Sequence, residues 1–150
     1  MPFDVDWYDK AKGILKMTVY GHPTWDDYHE GVDKIAVELK ATLSRIDLII
    51  DDKVGMPSGN PMPHLKTAVD KLTVFPNFGM SMVVSTRNVA LFPQLMMETA
   101  SRLYHFDLKR YGRFLKTMDE ALAVIKANCR SSFLQRYDLD NSQPKVRSRE

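Results

Sequence analysis

The stretch Ile46-Asp47-Leu48-Ile49-Ile50 is the feature that most limits what this chain can fold into. It is a short, nearly continuous apolar run, stopped by Asp51-Asp52 and followed by a Lys53-to-Pro63 segment holding three prolines and two glycines. An apolar run of that length without strict alternation suits a strand buried on both faces, the situation of a parallel strand covered by helices. Proline removes amide donors and glycine dilutes backbone order, so Lys53 to Pro63 is expected as an irregular loop.

The flanking segments extend this pattern in both directions. Phe3 to Lys10 and Ile14 to Tyr20 are rich in β-branched and aromatic residues, and Lys12-Gly13 between them predicts the turn of an antiparallel hairpin. Leu15, Met17 and Val19 alternate with Lys16, Thr18 and Tyr20, so one face is expected in the core and the other partly polar. Gly21-His22-Pro23 ends the second strand. Thr24 then predicts an N-cap accepting from the amide of Asp27, and Tyr28, Val32, Ile35, Ala36, Leu39 and Leu43 predict one buried helical stripe. Pro63 suits the first turn of another helix, with Leu65, Ala68, Val69 and Leu72 on its apolar side. Pro76-Asn77-Phe78-Gly79 breaks that helix, and Met80 to Val84 reads as a buried strand ending at Ser85-Thr86. Asn88 predicts the cap of a further helix through Leu91, Leu95, Met96, Thr99 and Leu103. Arg113 to Lys116 predicts a last short strand, and Thr117 with Glu120 a capping box before a final helix through Leu122 and Ile125.

The expected order is β-β-α-β-α-β-α-β-α: an α/β fold with a mixed, mainly parallel sheet of four to five strands and about four helices. One domain over residues 1–129 is expected, with 130–150 as a polar, flexible tail in which Phe133, Leu134 and Tyr137 offer a short helical turn as the alternative.

Elements in this order, together with particular residues, resemble the SpoIIAA-like STAS family. They are the N-terminal hairpin, the helix start Thr24-Trp25-Asp26-Asp27-Tyr28, the strand Ile46 to Asp51, the step Pro76-Asn77-Phe78-Gly79 into Met82-Val83-Val84, and Asp119-Glu120-Ala121-Leu122. The likeness spans about residues 3–128. It implies a regulatory role through protein contacts, as in anti-sigma-factor antagonists; some relatives of this fold resemble lipid-binding domains instead. Antagonists carry Asp-Ser-Ser-Gly, with a phosphorylated serine, at the start of the second helix. Here Met56-Pro57-Ser58-Gly59-Asn60-Pro61 stands in a longer loop and only Ser58-Gly59 is kept, which weakens a phosphorylation switch. A phosphate on Ser58 would look to the amino end of the helix near Pro63.

Composition narrows the function classes. No apolar run approaches the length of a membrane span, and Met1 to Asp6 lacks the layout of a signal peptide, so a cytoplasmic location is expected. Residues 130–150 hold five Lys/Arg against three Asp/Glu, leaving sixteen against sixteen in 1–129, and a neutral body argues against nucleic acid as a partner. The lone Cys129 can form neither an internal disulfide nor a cysteine-based zinc site, and is expected to pack near the end of the last helix.

Candidate binding residues lie at strand ends, where open α/β sheets place ligands. Asp51 and Asp52 offer paired carboxylates for a hard cation, but the following loop adds only Asn60 and Ser58, so capping of loop amides is preferred. Ser85, Thr86 and Arg87 place hydroxyls and a cation before a helix, an anion site or a self-satisfied turn. His22, His29, His64 and His105 show no metal-ligand spacing, and His29 is expected to face solvent. Met56, Met62, Met80, Met82, Met96 and Met97 suggest either core filling or an apolar pocket, and Met62, Phe75, Phe78 and Leu91 an exposed apolar rim.

No nucleophile elbow, phosphate fingerprint or cofactor motif is present in the sequence. The leading expectation is therefore a non-enzymatic domain that binds a protein partner or forms a homodimer, without cofactor or metal. A binder of a small apolar or lipid-like ligand is the alternative. An enzyme using Asp51 or Asp52 with Ser85 or Arg87 ranks third.

Overall fold

The computed structural model describes residues 3–55, 57–85, 102, 111 and 113–141. Its elements run β1 (Phe3–Asp9), β2 (Ile14–Val19), α1 (Trp25–Ala41), β3 (Ile46–Asp52), α2 (Met62–Thr73), β4 (Phe78–Ser85), β5 (Arg113–Leu115) and α3 (Met118–Asn141). The five strands form one sheet in the order β1-β2-β3-β4-β5, with β1 antiparallel to β2 and every later pair parallel. The α/β fold with a mixed, mainly parallel sheet is thus as the sequence predicts, with three helices among the described residues. The helix expected from Asn88 through Pro93 and Leu103 lies outside them.

Side-chain alternation assigns the layers. Leu15, Met17, Val19, Leu48 and Ile50 pack with Tyr28, Val32, Ile35 and Leu39 of α1 and with Ala68 and Leu72 of α2. Ile14, Ile49, Met80, Met82 and Val84 pack with Ala121 and Ile125 of α3 on the other face. Central β3 is buried at all seven positions, because helices cover it from both sides. Burying one such Ile or Leu side chain is worth about 1.5–3 kcal/mol, so the two apolar layers hold most of the driving force for folding. At Gly31 a Cβ would come 2.2 Å from Met17 Cε, which shows how closely α1 lies on the sheet.

Local signals act as expected at most boundaries. The β1–β2 turn places Gly13 at φ +69°, a left-handed conformation, directly against the Arg45 carbonyl. Thr24 caps α1 with Asp27 in a reciprocal pair: the Asp27 amide donates to Thr24 Oγ1 at 3.2 Å and the Thr24 amide to Asp27 Oδ2 at 3.1 Å. At α3 the Glu120 amide donates to Thr117 Oγ1 as predicted, while the Glu120 carboxylate returns to the amide of Lys116, one residue before the expected position.

Four expectations are corrected. Leu43 is fully exposed, because α1 ends at Ala41 and Thr42 turns to an extended conformation while Asn77 Nδ2 donates to the carbonyls of Leu39, Thr42 and Ser44. Phe78 is no rim residue but begins β4 inside the core, stacked 5.6 Å from Tyr111. Cys129 is exposed rather than packed. Finally, α3 continues to Asn141, so the 129/130 boundary suggested by polarity falls within a helix.

A buried polar knot ties the layers at the amino end of β3. Asp47, 1% exposed, accepts on Oδ1 from Arg45 Nε and Nη2 at 3.0 and 2.9 Å and from the Met80 amide at 2.8 Å. Arg45 Nη2 also donates to Asn128 Oδ1 at 2.6 Å, linking the knot to α3. Glycine is required beside it, since a Cβ on Gly79 would stand 2.2 Å from Asp47 Oδ1.

Candidate functional site

At the opposite, carboxyl edge of the sheet, β2, β3 and β4 end at Val19, Asp52 and Ser85. The chain leaves β2 through the Gly21-His22-Pro23 turn to reach the capped start of α1, and leaves β3 through the loop that leads to α2. Both helix amino ends therefore stand at this edge, and the residues singled out from sequence lie between them.

Asp51 and Asp52 are neighbours on a strand, so their side chains leave on opposite faces. Asp52 follows Leu48 and Ile50 toward α1 and α2, whereas Asp51 follows Ile49 toward α3. They do not converge on one cation. Each has its own partner: Asp51 Oδ2 lies 3.2 Å from Lys53 Nζ, and Asp52 Oδ1 accepts from the amides of Val54 at 3.2 Å and Gly55 at 2.6 Å. Both residues are buried, and Asp52 folds the first turn of the loop back onto the strand end. Among the described residues no group of three or more His, Cys, Asp or Glu could hold a metal ion.

The register places Ser85 beside Asp52, and Ser85 Oγ is buried with no hydrogen-bond partner among the described residues. Among the described residues no base is hydrogen-bonded to that hydroxyl, as an activated nucleophile would require. Thr86 and Arg87, expected beside it, lie outside the described residues. Ser58 is exposed on the loop, and its carbonyl accepts from Trp25 Nε1 at 2.9 Å. Pro61 is the N-cap of α2 and Pro63 its second residue, so two positions that would present amides to a phosphate on Ser58 have none. The methionines described on β4, Met80 and Met82, fill the core at no more than 4% exposure rather than lining an open pocket.

The chain matches no family model, no curated protein and no solved structure.

A second cluster, missed in the sequence, joins the two helices above this edge. His29 Nε2 and His64 Nδ1 are 2.8 Å apart in a hydrogen bond, so His29 is half-buried against α2 instead of facing solvent. The His64 ring stacks on Trp25 at 4.3 Å between centroids and 4° between planes. Tyr28 meets Trp25 and His29 edge-on, and its burial pushes the phenol far above its ordinary pKa, keeping it neutral. Desolvation, then His64 and Lys71, hold the His29 imidazole below the ordinary histidine value, against the opposing pull of Asp26 and Asp33. Lys71 and Asp33 form an ion pair between α2 and α1 close by. Trp25 and His29 are one helical turn apart, a spacing that put them on one face in advance, but nothing local could show that His64 lies opposite.

Among the described residues no helix is long and apolar enough to cross a membrane.

Proposed function

We propose that the chain is a SpoIIAA-like regulatory domain that works by binding a protein, either a second copy of itself or another chain, and carries no catalytic site. The observation that carries this reading is the state of the carboxyl edge: the carboxylates there are engaged in holding the chain's own loop. Asp52 grips the loop at Val54 and Gly55, and Trp25 grips it at Ser58. The outcome is a fixed polypeptide surface over the strand ends, with Ser58, Gly59 and Asn60 facing outward. Fixed backbone with few reactive groups suits recognition, since a surface ordered beforehand loses less entropy on binding. The five-stranded mixed sheet supports the same reading, being of the kind that the family resemblance implies.

Light scattering on the purified chain tests it. A homodimer, or a stable complex with a defined co-purifying protein, is expected, weakened by Trp25→Ala, which frees the loop while circular dichroism shows the fold retained. A strict monomer at high concentration that captures no partner overturns the reading. So does a Trp25→Ala variant that associates as tightly as the parent.

A further inference from the structure

The Trp25–His29–His64 cluster lies at the margin of the core, with Trp25 packed against it, and joins α1 to α2 there. It links two titratable rings, through a stack, to the indole that fastens the loop. A hydrogen bond between two imidazole nitrogens needs one of them protonated and the other bare. With both rings neutral that condition is met. With one proton added it is met more strongly, because the imidazolium donates to a neutral acceptor. When both rings are protonated neither nitrogen can accept, and two like charges face each other with ring centroids 5.1 Å apart.

We propose that His29 and His64 form an acid-operated latch: double protonation parts α1 from α2 at this point, unstacks His64 from Trp25 and releases the loop at Ser58. The charged groups facing the pair set its range. Asp26 and Asp33 on α1 favour protonation of His29, while Lys71 on α2 opposes it, and Lys71 is itself ion-paired to Asp33. Burial and His64 also oppose it, so His29 binds its proton less readily in the native chain than in the unfolded one. The sign follows by linkage: the latch is closed above the ordinary histidine value of about 6.5 and gives way as pH falls through the lowered value. The latch operates in the isolated chain, so it stands or falls separately from the binding role proposed above.

Hydrogen exchange followed by mass spectrometry, corrected for the intrinsic effect of pH, reads the latch directly. Between about pH 7.5 and about pH 5, the span over which histidines change charge, peptides covering residues 53–61 are expected to lose protection several-fold. A peptide covering 46–50 should keep its protection. In His29→Gln, and independently in His64→Gln, the loop should show the same protection at both pH values. An NMR titration of the unmodified chain should show the His29 ring taking up its proton below the ordinary histidine value. Equal loop protection at both pH values in the parent overturns the proposal, as does a loss that persists unchanged in both variants. A His29 ring that titrates at the ordinary value overturns it as well.

Discussion

Replacing Asp47 is the sharpest test of how this fold is held together. In Asp47→Ala the Met80 amide, buried in the core between β4 and α3, loses its acceptor, and an orphaned buried donor costs about 1–3 kcal/mol. The Arg45 guanidinium loses its counter-ion as well. Breaking a wholly buried pair costs about 3–5 kcal/mol, but the Arg45 side chain is 31% exposed and keeps Asn128, so about 1–2 kcal/mol is the appropriate share. The sum is about 3 kcal/mol, equivalent to a fall in Tm of about 6–12 °C for a domain of this size. Asp47→Asn keeps a carbonyl oxygen for the Met80 amide and forfeits only the charge assistance, so its cost should be about half as large. Urea unfolding followed by circular dichroism gives both numbers, with an unchanged slope showing that the native state is intact. Adding Arg45→Met to Asp47→Ala should recover part of the loss by removing the unpaired cation. Equal destabilisation by alanine and asparagine would refute the reasoning, as would a double variant in which the two losses simply add.

Two further outcomes follow from local geometry. Gly13 and Gly21 have nearly the same left-handed φ, +69° and +66°, but a Cβ at Gly13 would lie 2.3 Å from the Arg45 carbonyl oxygen while one at Gly21 meets nothing. Gly21→Ala should therefore cost about 1–2 kcal/mol and Gly13→Ala clearly more by chemical denaturation; equal costs would contradict the close approach. The Thr24 hydroxyl, then its amide, hold the Asp27 carboxyl below its ordinary value, so the cap's contribution is complete above about pH 4 and is lost as pH falls through the lowered value. The Tm gap between the parent and Thr24→Ala should accordingly narrow from pH 5 toward pH 2, and a gap independent of pH would count against that hydrogen bond.

What could be seen in the sequence was whatever depends on near neighbours. The Thr24 cap, the Tyr28–Val32–Ile35–Leu39 stripe and the burial of β3 all follow from spacing within a single element, and each is present. Leu43 was misplaced because the stripe was extended past the point where Asn77, far along the chain, takes up the last carbonyls of α1. Pairing His29 with His64 required the relative position of two helices, and the Asp47 knot required the β3–β4 register; neither is written in a local pattern. The divergence of Asp51 and Asp52 was different. The two-residue period of a strand already ruled out a shared ligand between adjacent residues, once both were known to remain within β3.

The identity of spatial and chain order in the sheet bears on how the molecule is made. Each strand is laid against the one synthesised just before it, so no gap has to be kept open for a late arrival. Growing amino end first, a nascent polypeptide that has emerged as far as Ser85 already possesses four adjoining strands and the helices of one layer. What it still lacks includes β5 and α3, whose Ala121 and Ile125 pack on Met80, Met82 and Val84, so this greasy flank goes without that cover until the last helix emerges.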